Sequence, residues 1–406
     1  MKYKSFIGII IMVLFFVFIT ENRTLCAQAP DENELYARAA VLIDGQNNRI
    51  LYGKNENLVL PMASTTKIMT LVVALENSQP EDVITFSKYA ASQPDVQLNA
   101  AAGEQYTMKD MLYLMMMRSY NDVAVAVAEN IGEKLLGWDD DTSKRETENS
   151  KECVKAFVKL MNGKAAELGC ENTYFITPNG LDATDDYKTH STTAYELAKI
   201  ASYAIQKADV EKICTTRSYS CSEISGKRNV SITTTDRFLD MVKGAVGMKT
   251  GFTGNAGYCF VGAVRQEGRT FVSVVLGSGW PPNKNYKWSD TKKLMNYGIA
   301  NYFTQKVFVS DRDYRYIQVL NGKKDYVGTE IKGELTMLLN DDEIVNVVYI
   351  LPDFVNAPVK EGQQLGVANI YIDGNLYESF PITAKNQVEK TNYLWFLKKI
   401  INFFIL

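Results

Sequence analysis

The pattern of hydrophobic residues changes near Gln305, and this change constrains the fold more than any other feature. Upstream, apolar segments with helical periodicity alternate with shorter runs that are typical of strands. From Val307 to Thr383 only short β-like runs remain, such as RYIQVL, VNVVYIL and VANIYIDG, and turns separate them. A chain of 406 residues is also too long for one typical core. We therefore predict an α+β domain at residues 30–305 and a small all-β domain at residues 306–388.

The first domain carries the pattern of an antiparallel sheet flanked by helices. ARAAVLIDGQNNRILYGKN predicts two strands around a turn, and from Ala245 three β-rich runs separated by glycines predict a meander. The mostly apolar stretch 66–76 predicts a buried helix, and a second helix is expected from Met108. Asn121-Asp122 is expected to cap a third helix, VAVAVAENIGE. The polar segment from Gly137 is expected to be a surface insert without chemistry.

Both ends of the chain carry apolar segments that are short for a membrane-spanning helix. Two lysines precede the first segment and small residues follow it, so residues 1–29 are predicted to be a signal peptide, with an uncleaved anchor as the alternative. The last segment, TNYLWFLKKIINFFIL, places its polar residues at helical spacings on one side. It predicts an amphipathic membrane-anchor helix at residues 389–406, with a helix packed on its own domain as the alternative. Together the two ends predict an exported protein, held peripherally at the outer face of the cytoplasmic membrane.

Composition excludes several classes of function. The chain has one histidine, His190, which rules out HExxH and other multi-histidine metal sites, and no CxxC pair suggests zinc. No GxSxG elbow is present, so no Ser-His-Asp triad is expected, and His190 is expected to cap or pack at a helix start. A net charge of −3 gives no basic field for nucleic acid. We expect no metal and no cofactor; whether Cys214 and Cys221 pair is left open by the sequence.

The stretch PMASTTKIMT places Ser64 three residues before Lys67, at the start of the predicted buried helix. At this spacing the two side chains lie on the same helical face. A hydroxyl needs a base to become a nucleophile, and a lysine can be that base when burial lowers its pKa. The pattern alone is weak, because a helix cap is the more common role for such a serine. Ser289 and Lys292 match it too, in a segment expected to be an exposed helix.

Two further motifs strengthen this interpretation. Ser119-Tyr120-Asn121 falls at a break between two predicted helices, where side chains can point into a cleft. Lys249-Thr250-Gly251 ends a predicted strand, and the glycine lets a substrate backbone lie close to that edge. The ordered trio SxxK, SxN and KTG is typical of penicillin-binding proteins and serine β-lactamases.

With these motifs the chain resembles the low-molecular-mass penicillin-binding proteins, which are serine-type D-Ala-D-Ala carboxypeptidases. The resemblance covers most of residues 35–385 and includes LPMASTTKIMT, TYFITPNGLD, HSTTAYELAKIA, GMKTGFTGNAGYCFVGA and PVKEGQQLGVANIY. It implies a penicillin-binding fold, an all-β C-terminal domain and an amphipathic tail. It also implies that the substrates are peptidoglycan stem peptides ending in D-Ala-D-Ala, and that β-lactam antibiotics bind the same site.

The resemblance implies a role for each motif residue. Ser64 would attack the carbonyl between the two D-alanines, and Lys67 would accept its proton. Ser119 and Asn121 would line the cleft, relaying a proton and bonding the substrate amide.

The substrate-binding residues implied by the resemblance lie on the KTG strand. Lys249 would add positive charge, Thr250 would bond the substrate carboxylate, and Gly251 would admit the substrate backbone. The N–H groups of Ser64 and Phe252 would form the oxyanion hole.

Three departures from the family pattern stand near the site. Tyr120 replaces the usual glycine of SxN, Thr234-Thr235-Asp236-Arg237 replaces an Asn-Thr-Asn-like stretch, and Phe252 follows KTG where some relatives have a polar residue. Two alternative functions stay open at this point. One is a class A-like serine β-lactamase, although no ExxLN-like stretch is found between SxN and KTG. The other is a catalytically inactive wall-binding protein, against which the intact trio argues.

Overall fold

The computed structural model describes residues 27–138 and 141–405. Nearly all of the predicted signal peptide, residues 1–29, therefore lies outside the described residues. The rest of the chain forms a mixed α and β domain followed by a β-rich domain and a terminal helix, so the predicted α+β architecture is confirmed. The boundaries 30–305 and 306–388 stay a prediction.

The first domain is built around a five-stranded sheet with the order β2-β1-β9-β8-β7, in which every neighbouring pair is antiparallel. Two small two-stranded sheets, β3-β4 and β5-β6, lie apart from it. The strands are β1 (Ala39–Asp44), β2 (Ile50–Lys54), β3 (Val83–Thr85), β4 (Gln105–Thr107), β5 (Ser218–Ser222), β6 (Asn229–Thr233), β7 (Ala245–Thr253), β8 (Gly257–Gln266) and β9 (Arg269–Leu276).

Helices cover both faces of this sheet, which explains why β1 and β9 are mostly apolar and are buried along their whole length. The helices are α1 (Lys67–Asn77), α2 (Lys88–Ala91), α3 (Met108–Arg118), α4 (Asn121–Leu136), α5 (Thr147–Glu167), α6 (Ala194–Ile205), α7 (Ala208–Thr215) and α8 (Tyr286–Asn301). In β1, Val41 and Ile43 join the core that contains α1, α3, α4 and α6, while Leu42 joins the core beneath α8. Because successive side chains of β1 point to opposite faces of the sheet, the strand packs against a layer of helices on each side.

The second domain is a six-stranded sheet with the order β12-β14-β15-β11-β10-β13. Its strands are β10 (Phe303–Leu320), β11 (Tyr326–Leu339), β12 (Val345–Ile350), β13 (Phe354–Asn356), β14 (Gln364–Ile372) and β15 (Asn375–Ala384). Arg49 after β1 reaches this domain, since its guanidinium donates to the Leu338 carbonyl at 2.7 Å and pairs with Glu343. Helix α9 (Tyr393–Ile405) follows, and no helix within the described ranges is both long enough and apolar enough to cross a membrane.

Two local predictions were wrong. Asn121 and Asp122 do not precede α4 as caps but are its first two residues, because their side chains bond elsewhere: Asp122 accepts the N–H groups of Leu98 and Asn99. The polar segment from Gly137 is not wholly a surface insert. The Arg145 guanidinium is fully buried and pairs with the carboxylate of Glu129 at 3.0 Å, because a polar segment can enter a core when each charge finds a partner.

Candidate active site

Ser64 and Lys67 lie where a 3₁₀ turn, Ala63–Thr66, passes into α1. The lysine is fully buried and the serine partly exposed, and Lys67 Nζ lies 2.9 Å from Ser64 Oγ. Apolar residues fill most of α1 and bury the helix, and the i, i+3 spacing then stacks the two side chains. The sequence-predicted pair is therefore in contact, with the hydroxyl on the accessible side.

Two carbonyl oxygens complete the surroundings of the Lys67 amine. Its Nζ donates to Asn121 Oδ1 at 2.8 Å and to the Asn179 backbone oxygen at 2.6 Å. Burial lowers the pKa of Lys67 well below its usual value, the positive charge of Lys249 lowers it further, and Asp122 opposes both effects. A neutral amine has two hydrogens and one lone pair. With both hydrogens used by obligate acceptors, the lone pair is left for the Ser64 hydroxyl.

Asn121 has its amide orientation fixed by the loop that faces it. Its Nδ2 donates to the backbone oxygens of Pro94 and Asp95 at 3.1 and 3.0 Å, so Oδ1 must face Lys67. The other SxN residue, Ser119, ends α3 in the left-handed region with a φ of 65°. Its side chain is partly exposed and makes no hydrogen bond to any residue that the structure describes. Among the described residues, a hydrogen bond thus joins Asn121, but not Ser119, to the Ser64–Lys67 pair.

Two glycines let other chain segments approach the 3₁₀ turn that carries Ser64 closely. A Cβ built on Gly180 would lie 2.1 Å from the Ala63 oxygen, and one on Gly251 would lie 3.0 Å from the Ser64 nitrogen. Ala63 itself has a φ of 49°, a conformation that side-chain-bearing residues rarely adopt. The KTG strand therefore runs directly beside the N–H of Ser64, and residue 251 has to be small for that approach.

His190 supports the same turn from beneath. It is buried, its Nδ1 accepts the N–H of Ile176 at 2.9 Å, and its Nε2 lies 2.8 Å from Thr66 Oγ1. Because the Thr66 hydroxyl donates to the Ala63 oxygen at 2.8 Å, Nε2 must carry the hydrogen in this contact. Burial lowers the pKa of His190 to about 4, so the ring is neutral and serves packing, in agreement with the prediction.

The KTG motif occupies β7, at the edge of the five-stranded sheet. Lys249 is 2% exposed and its Nζ donates to the Thr250 oxygen at 3.0 Å. Burial lowers the pKa of Lys249 to about 8, and Asp236 opposes this shift. Phe252 follows the motif, and its side chain is exposed.

Thr250 opens into a small cavity of about 200 Å³ that carries positive charge. Its other lining residues include Arg237, Lys284 and Lys287. The Lys287 ammonium donates to the Lys284 oxygen at 2.9 Å and lies 4.6 Å from the centre of the Tyr258 ring. A small anion beside Thr250 would meet three cationic side chains and a hydroxyl.

Some residues that contribute to the site could not be predicted from the chemistry of their side chains. Asn179 acts through its backbone oxygen, and Pro94 and Asp95 act through theirs, so side-chain chemistry gave no signal for them. Asp182 accepts the Thr253 hydroxyl at 3.0 Å and ties the cleft-side loop to the end of β7. Cys214 and Cys221 form no disulfide, which answers the question that the sequence left open.

Two family models match the chain. The model for D-alanyl-D-alanine carboxypeptidase matches residues 26–135 and 148–279. The model for the C-terminal domain of penicillin-binding protein 5 matches residues 302–390.

Similar proteins match over most of this length. D-alanyl-D-alanine carboxypeptidase DacF of Bacillus subtilis is 30% identical over 371 residues, 89% of this chain and 88% of that protein. DacC of Escherichia coli is 26% identical over 88% of this chain and 85% of that protein. The Streptomyces K15 DD-transpeptidase structure is 28% identical with a TM-score of 0.58, covering 67% of this chain and 99% of that one. Penicillin binding protein 5 from Haemophilus influenzae shares the fold, with a TM-score of 0.69 at 24% identity over 89% of this chain and 99% of that one.

Proposed function

The chain belongs to the serine-type D-alanyl-D-alanine carboxypeptidase family, and we propose that it cleaves the terminal D-alanine from peptidoglycan stem peptides with Ser64 as its nucleophile. The observation that carries this assignment is the position of the Lys67 amine. It lies within 2.9 Å of the serine hydroxyl and has both of its neutral-state hydrogens engaged by carbonyl oxygens. An uncharged lysine in this position can act as a general base toward the Ser64 hydroxyl.

The reaction proceeds in two steps. Lys67 takes the proton of Ser64 as Oγ bonds to the carbonyl carbon between the two D-alanines, and the N–H groups of Ser64 and Phe252 bind the oxyanion that forms. The C–N bond then breaks, the proton passes to the leaving amine, and D-alanine departs. Water attacks the acyl-enzyme with Lys67 again as base, releasing the shortened peptide and restoring the serine. A β-lactam would acylate Ser64 in the first step.

The substrate carboxylate would occupy the cationic cavity at Thr250. Thr250 offers a hydroxyl, while Lys287, Arg237 and Lys284 supply positive charge around the same 200 Å³ space. A carboxypeptidase must recognise a free C-terminal carboxylate, and this cavity lies one residue along β7 from the glycine that flanks the nucleophile. The distance between the cavity and Ser64 would then fix which peptide bond is cleaved.

Export and membrane attachment belong to the same proposal. The enzyme would act at the outer face of the cytoplasmic membrane, held peripherally by α9. In support, α9 exposes its apolar side chains, with Tyr393 and Phe403 each 80% exposed, and carries Lys398 and Lys399 on its polar side.

Mass spectrometry after exposure to penicillin tests the assignment. The wild-type protein should gain one covalent adduct on the peptide containing Ser64 and should release D-alanine from a peptide ending in D-Ala-D-Ala. Ser64→Ala should abolish both, and Lys67→Ala should slow acylation by about 10² to 10⁴-fold. The matched control is Ser289→Ala, which alters the other SxxK serine, exposed on α8.

Rapid penicillin hydrolysis without D-alanine release would replace the proposed activity by that of a β-lactamase. An adduct on any other serine, or normal acylation of Lys67→Ala, would overturn the roles of Ser64 and Lys67.

A further inference from the structure

Asn179 contributes its backbone to the active site and fixes its own position through its side chain. The backbone oxygen accepts a hydrogen from Lys67 Nζ at 2.6 Å and lies 3.3 Å from Ser64 Oγ. The side chain is buried, and its Oδ1 accepts the N–H of Leu181 at 3.1 Å, which closes a turn around Gly180. The conformation of this turn therefore sets where the backbone oxygen lies relative to the Ser64–Lys67 pair.

Gln93 binds the other end of the Asn179 amide. The Nδ2 group of Asn179 donates to Gln93 Oε1 at 3.2 Å. Gln93 is buried as well, and its own Nε2 donates to the backbone oxygen of Tyr89 at 3.3 Å. Because the Leu181 N–H can only donate and the Tyr89 oxygen can only accept, the orientation of both amides between them is fixed. Gln93 thus connects the turn at Asn179 to helix α2, which contains Tyr89.

Helix α2 has a fixed position of its own. Ser87, its N-cap, is buried, accepts the Ala90 N–H at 3.0 Å and donates to the Glu129 carboxylate on α4 at 2.6 Å. The Gln93 N–H donates to the Ala90 oxygen at 3.2 Å, shortly after α2 ends. The Gln93 side chain therefore extends from a backbone that is attached to α2 and, through Ser87, to α4.

The segment that begins at Gln93 supports both carbonyl acceptors of Lys67. The next two residues accept the Asn121 amide through their backbone oxygens, and this directs Asn121 Oδ1 to Lys67. Gln93 itself supports Asn179, the second acceptor, through a side chain. Only this second support can be removed by a single substitution that leaves the backbone of the segment intact.

A separate bond holds the loop one residue before Asn179. The Thr70 hydroxyl on α1 donates to the Pro178 oxygen at 2.6 Å. Loss of the Gln93 bond should therefore leave the loop attached to α1 while it frees the Asn179 amide. Within the part of the chain that the structure describes, Nδ2 of Asn179 has no acceptor besides Gln93 Oε1.

We propose that Gln93 is a positioning residue for the general base: through the Asn179 amide it fixes the turn and keeps the Asn179 backbone oxygen on Lys67 Nζ. The inference rests on the proposed function, in which neutral Lys67 takes the proton of Ser64. Gln93 acts through Asn179 and takes no part in the bond-making steps. When the oxygen is displaced, one hydrogen of the amine loses its acceptor and the lone pair is no longer directed at the Ser64 hydroxyl.

Stopped-flow acylation of the full chain by penicillin tests this role. Saturation kinetics separates the acylation rate constant from the dissociation constant of the non-covalent complex that precedes it. Gln93→Met keeps the length of the side chain and removes both of its hydrogen bonds. The rate constant should fall by about tenfold with the dissociation constant unchanged, because the base is displaced and the KTG strand is not. Misfolding of part of the sample would lower the amount of adduct but not the rate constant.

A double-mutant cycle with Asn179→Ala shows whether Gln93 acts through Asn179. Asn179→Ala removes the amide and keeps the backbone oxygen, so it should lower the rate constant to a similar extent. Gln93→Met should then cause no further loss. The matched control is Gln105→Met, which breaks the bond from Gln105 Nε2 to Thr85 Oγ1, 2.9 Å long, in the small sheet β3-β4. Its acylation should equal that of the wild type.

An unchanged rate constant in either single variant would refute the positioning role, and so would a loss from Gln93→Met that persists in the Asn179→Ala background. A weaker non-covalent complex with an unchanged rate constant would refute it too, since Gln93 would then serve substrate binding. Should Gln93→Met fail to fold, Asn179→Ala still tests the same bond from its other end. If the wild-type protein forms no penicillin adduct, the proposed function itself has failed, and this inference fails with it.

Discussion

Lys67 can serve as a general base only while its amine is neutral, and burial is the main reason that it is. Desolvation penalises the ammonium form because the two oxygens beside Nζ, from Asn121 and Asn179, are neutral carbonyls and do not replace the lost water in full. An arginine could not take this role, since its guanidinium stays protonated in proteins. The same surroundings that make the lysine uncharged also direct its lone pair to Ser64.

The two lysines predict a bell-shaped dependence of penicillin acylation on pH. On the acidic side, the rate should rise as Lys67 loses its proton, at a pH well below the usual lysine range because its pKa is lowered. On the alkaline side, the rate should fall near pH 8, where the buried Lys249 loses its charge. Stopped-flow measurement of adduct formation across pH would record both limbs.

Substitution by arginine assigns the alkaline limb. Lys249→Arg should retain its charge and carry the rate past pH 9 or so before it falls. Lys287 also has a pKa lowered to about 8, so Lys287→Arg is the matched control and should leave the alkaline limb of acylation in place. If only Lys287→Arg removes the limb, the titration has been assigned to the wrong lysine.

At the scale of elements, the active site depends on the close approach of β7 to the start of α1. Gly251 lies against Met62, Ala63 and Ser64, and its missing side chain sets the separation between the strand and the nucleophile. The 3₁₀ turn is held from the other side by Thr66 and by the neutral His190. The 3₁₀ turn that carries Ser64 is thus held between the edge strand β7 on one side and the buried His190 imidazole on the other. We call this arrangement the clamp.

Gly251→Ala tests this clamp. The added Cβ would lie 3.0 Å from the Ser64 nitrogen and from the Ala63 Cβ, so either β7 or the turn must move by a few tenths of an ångström. Acylation by penicillin should fall by about 100-fold, because the shift disturbs the oxyanion donor beside the nucleophile. The control is Gly254→Ala, three residues further on, where a Cβ would have nothing within 4 Å and the rate should not change. Equal acylation rates for the two variants would show that acylation does not depend on the close approach of β7 to the Ser64 turn.

The sequence could predict the elements of the site but not all of its contacts. The pairing of Ser64 with Lys67 follows from helical spacing, and the strand position of Lys249 follows from the β-rich pattern around it. The cap assigned to Asn121 was wrong because short polar residues before an apolar run look alike, whether they bond their own helix or a distant loop. Asn179 could not be found, since it contributes a backbone oxygen and any residue has one.

At the scale of the whole molecule, the β-rich domain connects the active-site domain to α9. Arg49 joins the two domains through Leu338 and Glu343. At the far end of the β domain, the Thr391 N–H donates to the Asn321 oxygen at 2.8 Å, two residues before α9 begins. The start of the terminal helix is therefore fixed to the β domain, and an enzyme held by α9 would carry this domain between the membrane and the cleft.

Removal of residues 393–406 should separate membrane binding from catalysis. The truncated protein should no longer sediment with vesicles that contain anionic lipid, because its apolar helical face and the adjacent lysines are gone. Its release of D-alanine from a short soluble peptide should match that of the full chain, since the residues assigned to the reaction all lie in the first domain. Two point variants refine the test: Ile401→Glu alters the apolar face and should weaken sedimentation, whereas Asn402→Glu alters the polar side and should weaken it far less. Equal sedimentation of the full and truncated chains would place the membrane contact elsewhere, and equal losses in both point variants would mean that charge, not the apolar face, governs attachment.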